Sequence, residues 1–296
     1  MRRLQIGMWH EFSEGNWKKY SRKGISGIEV SCYTQEQALQ QAADFCRKHL
    51  LSFGIHTPIF EGEDSMPQVT SLDMDVYLKA VREVEKQVQT ASQYGADYLL
   101  LHYPFPPIYP EDKDCRYWDG PPVHSYYYSE NYSREEFRMT SERLFSELGA
   151  LQKNYHQRIV LEYDFFGEHE DILASMFKEY PEIQLVVDTQ RMEHHKRTFP
   201  GFDPFTWMDK IHPSVYLVHY SNVRFGKQKK RHIPVLPHQE NDPQYGKSFT
   251  YLKYLAEKNS QFHITFEHHP ELVSKDELEE CYRAAEDVLG LAWSLD

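Results

Sequence analysis

Residues 158–190 read RIVLEYDFFGEHEDILASMFKEYPEIQLVVDTQ. Two short apolar runs, Arg158–Asp164 and Ile183–Gln190, flank a longer amphipathic segment, Glu168–Tyr180. Near-continuous apolar runs without polar alternation are the mark of parallel strands buried on both faces. The stretch therefore reads as strand, helix, strand. Both runs close on a carboxylate: Val-Leu-Glu162-Tyr-Asp164, then Val-Val-Asp188-Thr-Gln190.

Working outward, the same unit recurs. Further apolar runs stand at Leu4–Trp9, Gly27–Cys32, Ser52–Pro58, Asp97–Pro104, Val215–Asn222 and His263–Pro270, which makes eight. Helical segments are predicted near Gly15–Arg22 and over Thr34–Leu50, Asp73–Tyr94, Ser133–Tyr155, Asp203–Ile211, Lys247–Lys258 and Ser274–Ser294. Thr34 is taken as a helix cap, Gly95 as a helix end, and Ser-Arg-Glu-Glu and Ser-Lys-Asp-Glu as capping boxes. Eight strands alternating with helices predict an α/β fold, a closed parallel (β/α)8 (TIM) barrel, in a single domain over residues 1–296. The 296 residues suit a fold that typically takes about 250. An open doubly wound sheet is the runner-up; its dinucleotide version lacks a Gly-x-Gly-x-x-Gly after the first strand.

Composition narrows the function. Hydrophobic residues at 40% and charged residues at 26% describe a soluble globular chain with a sizeable core. The mean hydropathy of -0.70 is low partly because 21 tyrosines score as polar yet can pack. A formal net charge of -12 argues against a broad grip on nucleic acid, which needs Lys and Arg to displace counterions. Lys227, Lys229, Lys230 and Arg231 form the one obvious basic run. Cys32, Cys46, Cys115 and Cys281 make no Cys-x-x-Cys pair and read as reduced thiols. With no signal-like N-terminus and no apolar run near the ~20 residues of a membrane span, the expectation is a cytoplasmic protein with no membrane partner. Two long connections, Pro104–Tyr132 and Val223–Gly246, follow strands and so belong to the catalytic face of a barrel; the first, rich in proline and aromatics, reads as an ordered lid.

Active sites of such barrels form where strands end. Six consecutive runs end on a His, Asp or Glu: Gly-Ile-His56, Leu-Leu-His102, Val-Leu-Glu162, Val-Val-Asp188, Leu-Val-His219 and Thr-Phe-Glu267. Unpaired charges gathered on buried strands are costly, and a bound cation removes that cost. Carboxylate oxygens and imidazole nitrogens suit Zn, Mn, Co or Mg.

In these residues the chain resembles the xylose-isomerase-like barrel superfamily, which includes sugar isomerases and epimerases and the endonuclease IV type of abasic-site nuclease. The resemblance runs from Gly27 to Pro270. It implies that Glu162, Asp188, His219 and Glu267 form a metal quartet. It also matches His56 and His102 to the two histidines that, in the endonuclease IV branch, hold a second metal with the strand-five Glu. Two departures count against a trinuclear zinc nuclease: Arg191 stands where that branch has the His of Asp-x-x-His, and Lys230-Arg231-His232 stands where it has Asp-x-His. The remaining set supports one metal, or two where His56 and His102 bind.

Glu162 and Glu267 are the acid/base candidates, because in epimerases of this kind two metal-bound glutamates flank the carbon that exchanges its proton. The bland reading makes them ligands only. His56 and His102 suit a second metal, substrate hydrogen bonds or structural roles. Arg191 and Arg224 suit an anionic group of the substrate or salt bridges to ligand carboxylates. His232 is the remnant of a third site and a substrate-binding candidate. Trp9, His10 and Trp118 are candidates for walling and closing the pocket. Glu29, inside the second strand, suits a supporting role. His194–His195 and His268–His269 are adjacent pairs, and neighbours on a strand point opposite ways, so neither pair chelates as a strand.

The expected function is a metal-dependent isomerase or epimerase acting on a small polyhydroxy substrate, sugar or sugar phosphate. The alternatives are a phosphoester hydrolase of the endonuclease IV type, a dehydratase sharing the proton-abstraction step, and a non-enzymatic barrel that binds metal or sugar. Homo-oligomer formation stays open.

Overall fold

The computed structural model describes residues 2–9, 12–62, 66–112, 125–227 and 229–291. Eight parallel strands close into a barrel: β1 (Leu4–Trp9), β2 (Ile25–Ser31), β3 (Ser52–His56), β4 (Tyr98–Tyr103), β5 (Ile159–Tyr163), β6 (Gln184–Asp188), β7 (Val215–Tyr220) and β8 (His263–Phe266). Each pairs with its sequence neighbours, and β8 returns to β1 through Leu4↔Ile264 and Ile6↔Phe266. The expected (β/α)8 barrel is the fold.

Around it run α1 (Glu14–Tyr20), α2 (Glu36–His49), α3 (Met74–Tyr94), α4 (Arg134–Tyr155), α5 (Glu170–Glu179), α6 (Thr189–Thr198), α7 (Pro204–Ile211), α8 (Ser248–Lys258) and α9 (Lys275–Leu289). The local chemistry explains their ends. Asp73 caps α3 through Asp75 N and Val76 N, and Gly95 closes it at φ 70°. Ser133 with Glu136, and Ser274 with Glu277, form reciprocal capping boxes. None of the described helices is long and apolar enough to cross a membrane.

Three readings are corrected. The sixth strand stops at Asp188 and not at Gln190, and a helix the sequence reading missed, α6, begins at Thr189. His194 and His195 therefore sit on a helix, both fully buried. Thr34 does not cap α2: the N-cap is Gln35, because the chain at Tyr33 is still extended and bridges to Phe60. The described parts of the two long connections carry short strand pairings. Ile108–Tyr109 pairs with Tyr127–Tyr128, and Asn222–Arg224 pairs antiparallel with Lys230–Ile233 before a 3-10 turn at Pro237–Asn241.

Strand side chains alternate between the barrel interior and the helix layer. A small apolar cluster of Tyr98, Leu100, Val160, Val186, Tyr216 and Leu217 stands apart from the main core. Two residues on from Leu100, Val160, Val186 and Leu217 come His102, Glu162, Asp188 and His219. The packed floor is thus built by the same alternation that lifts the polar groups to the strand ends. Register aligns them: His102 lies opposite Glu162, and Asp188 opposite His219.

Candidate metal centre

Glu162 is the hub, and its carboxylate is buried. Oε1 lies 3.1 Å from His219 Nδ1, and Glu267 Oε1 is also 3.1 Å from that nitrogen. His219 Nε2 points the other way, 3.0 Å from Glu29 Oε1 and 3.3 Å from Oε2. Glu29 is fully buried and further accepts from Tyr98 Oη and, at 3.4 Å, from Thr265 Oγ1; Gln5 in turn donates to Tyr98 at 3.0 Å. This network pins the imidazole from below.

The fit to a metal ion can be judged from the protons. An imidazole facing carboxylates on both nitrogens must be cationic or must carry a cation on one of them. Burial alone pushes the His219 imidazole down, but Glu267, Glu29 and Glu162 outweigh it and hold it well above its ordinary range. An ion on Nδ1, with Nε2–H donating to Glu29, satisfies the same groups and matches the carboxylate–histidine–metal arrangement. Glu162 Oε2 and Glu267 Oε2 are buried and lack a hydrogen-bond donor among the described residues. Such orphaned carboxylate oxygens fit a cation.

A second convergence lies beside the first. His56 Nε2 and His102 Nε2 stand 3.4 and 3.3 Å from Glu162 Oε2, and these three residues bring one ligand atom each within 4.8 Å of one another. His56 Nδ1 faces the Thr57 carbonyl and His102 Nδ1 faces Asp164 Oδ2 at 3.3 Å. Carbonyls and carboxylates only accept, so both Nδ1 atoms carry protons. Both Nε2 atoms then converge on one carboxylate oxygen of Glu162. Burial pushes the His102 imidazole down, against Asp164 and Glu162, and keeps it neutral. The result is a pocket of acceptors that fits a cation or the hydroxyl groups of a ligand.

Asp188 has two duties. As N-cap of α6 its Oδ1 accepts from Arg191 N at 2.9 Å, which sets Arg191 in the first turn with its guanidinium over the barrel mouth. Burial and the neighbouring Glu267 charge push the Asp188 carboxyl up to about 7. Arg191 pairs with Asp164 Oδ1 at 2.9 Å, Asp188 Oδ2 at 3.6 Å and Glu162 Oε2 at 3.7 Å. Its side chain is 13% exposed, so it is committed to carboxylates. Burial raises Glu162, but Arg191 and His219 carry it well below the usual carboxylate range.

The other candidates spread out. The Trp9 ring stands 5.7 Å from that of His56 and 6.3 Å from that of His219, walling the mouth. His232 adopts φ 47°, donates its backbone N–H to Gln190 Oε1 at 2.7 Å, and has Ser221 Oγ 3.5 Å from Nδ1. Burial lowers its imidazole while Glu267 raises it, which places it beside the centre. Arg224 is exposed and engaged with Gln244 and the Tyr245 ring, away from the centre. His268 is buried beside Phe266 and Tyr282, and His269 is exposed. His10 and Trp118 lie outside the described residues. Asp164 was missed by the sequence reading; it lies just past the end of β5, two residues beyond Glu162, and meets His102 and Arg191 there.

No protein-family model matches the chain, and no curated protein matches it in sequence. Solved structures do. A D-tagatose 3-epimerase-like protein superposes with a TM-score of 0.63 at 13% identity, covering 98% of each chain. A xylose isomerase domain protein from Planctomyces limnophilus superposes at 0.56 and 16%, covering 98% of this chain and 97% of that one. The chain has the xylose-isomerase-like barrel fold. The IOLI protein with a bound zinc atom shares this xylose-isomerase-like barrel at a TM-score of 0.61 and 14% identity, over 100% of both chains.

Proposed function

We propose that the protein is a divalent-metal-dependent isomerase or epimerase of a small polyhydroxy compound. One observation carries the reading: Glu162 and Glu267 meet the His219 imidazole from the ends of two strands, each with one oxygen on Nδ1 and one buried oxygen that lacks a hydrogen-bond donor among the described residues. Glu162, Asp188, His219 and Glu267 would hold the ion, with Zn, Mn, Co or Mg as candidates. When bound, the ion polarises a carbonyl or hydroxyl oxygen of the ligand.

The chain's own groups supply the rest. His219 outweighs burial and holds Glu267 below its ordinary range, as Arg191 and His219 do for Glu162, so both carboxylates are bases at neutral pH. One takes the proton from the carbon beside the carbonyl and, now protonated, returns it to the neighbouring carbon; return to the opposite face requires the other carboxylate to have taken a proton from solvent first. Trp9 keeps water from one side of the ligand. The acceptors of His56 and His102 suit its hydroxyl groups. The zinc in the IOLI structure and the epimerase-like neighbour support this reading.

The test is metal analysis of the purified protein together with solvent deuterium incorporation into a panel of aldoses, ketoses and their phosphates. Bound metal, and deuterium uptake lost in Glu162→Gln and Glu267→Gln, are the expected results. The convergence of His56, His102 and Glu162 favours a second reading, a two-metal phosphoester hydrolase. Cleavage of abasic-site DNA without any deuterium exchange would replace the first reading with the second.

A further inference from the structure

Arg191 is a buried cation at the edge of the centre, and no proton of the proposed transfer passes through it. Its guanidinium touches Asp164, Asp188 and Glu162 together, and the Glu162 atom it approaches, Oε2 at 3.7 Å, is the atom on which His56 Nε2 and His102 Nε2 converge. A divalent ion seated among His56, His102 and Glu162 would have this guanidinium as its neighbour across a shared oxygen. Like charges that close, out of solvent, repel strongly. Arg191 cannot shed its proton to relieve the repulsion. Nor is it free to swing out, because its backbone N–H is tied to the Asp188 cap and its Nη1 to Asp164.

We propose that Arg191 supplies, as a fixed internal cation, the charge a second ion would carry, and so restricts the centre to one metal ion per chain. The inference rests on the metal-centre reading above and adds the number of ions and the residue that sets it. A plain buried ion pair would stabilise the fold without changing the count of ions.

The full-length protein is stripped with chelator, loaded with excess Zn2+, freed of unbound ion and assayed for zinc per chain. About one zinc is expected in the wild type and in Arg191→Lys, which keeps the charge. About two are expected in Arg191→Met, falling back to about one when His56→Ala and His102→Ala are added. Two zinc ions in the wild type, or one in a folded Arg191→Met, overturn the inference and leave the metal centre standing. No zinc in any variant overturns the metal-centre reading itself. Should Arg191→Met not fold, calorimetric titration of the stripped wild type with Zn2+ decides: a stoichiometry of one supports the inference and two overturns it.

Discussion

Changing Glu29 to glutamine tests how far the centre depends on a residue that acts only through His219. The side chain is fully buried, and its oxygens lie 3.0 and 3.3 Å from His219 Nε2. A carboxylate there holds the imidazole proton on Nε2 and leaves the Nδ1 lone pair facing Glu162 and Glu267. An amide has one acceptor and one donor end. Turned with its NH2 toward His219, it drives the proton to Nδ1 and disables that atom as a ligand. Turned the other way, it loses the charge that makes the imidazole a stronger ligand and puts its NH2 where Tyr98 Oη and Thr265 Oγ1 now donate. Loss of such an outer partner weakens metal affinity about 10–100-fold, or about 1.4–2.7 kcal/mol at about 1.36 kcal/mol per tenfold. The assay is competition for Zn2+ against a chromophoric chelator, comparing wild type with Glu29→Gln and with Glu279→Gln, a residue paired with Arg22 far from the centre. A Glu29→Gln dissociation constant within threefold of the wild type would show that the buried network does not set the His219 tautomer.

Three further outcomes follow from the same geometry. Glu267→Gln should slow solvent deuterium exchange about 10²–10⁴-fold, the usual worth of a positioned acid or base, with the barrel intact by circular dichroism. His195 is fully buried against Phe165, Phe166, Phe199 and Phe202, and burial pushes its imidazole down to about 3. Its folded pKa lies below the unfolded value of about 6.5, so stability is full above that pH, falls as pH drops through it and levels off near the folded pKa. Between pH 7.5 and 5 this costs the wild type about 2 kcal/mol, and urea titrations of His195→Leu should lack that share of the loss; parallel pH profiles would count against it. Gly54→Ala would place a Cβ 2.2 Å from Tyr98 Oη. Because Tyr98 is fully buried and holds Glu29, the change should destabilise by about 1–3 kcal/mol, read as a lowered melting temperature, and should weaken metal binding as well; an unchanged melting temperature would refute the clash.

The helix the sequence reading missed shows what that reading depends on. Residues 189–198, TQRMEHHKRT, bury Thr189, Gln190, Glu193, His194, His195 and Thr198, with Met192 the sole buried aliphatic side chain. An apolar period cannot appear where the buried face is polar. The start of the helix was hidden for a related reason: its cap, Asp188, is also the last residue of a strand and one of the expected ligands. His194 and His195 are a pair in sequence only. His195 lies among Phe165, Phe166, Phe199 and Phe202, and His194 packs against Phe225.

From the sequence by itself came the eight strands, their parallel closure and the level at which Glu162, Asp188, His219 and Glu267 leave the barrel floor. These are local properties, since strand alternation and the chemistry at each strand end are written into a few consecutive residues. Tertiary structure alone decided which atoms meet. That Glu162 turns one oxygen to His219 and the other to His56 and His102, that Glu29 backs His219 from the opposite side, and that Arg191 lies inside the acidic cluster while Arg224 faces solvent, depends on barrel register and on where α6 begins. Those follow from packing among residues far apart in the chain, such as Glu29 and His219 at 190 positions, a distance no sequence period spans.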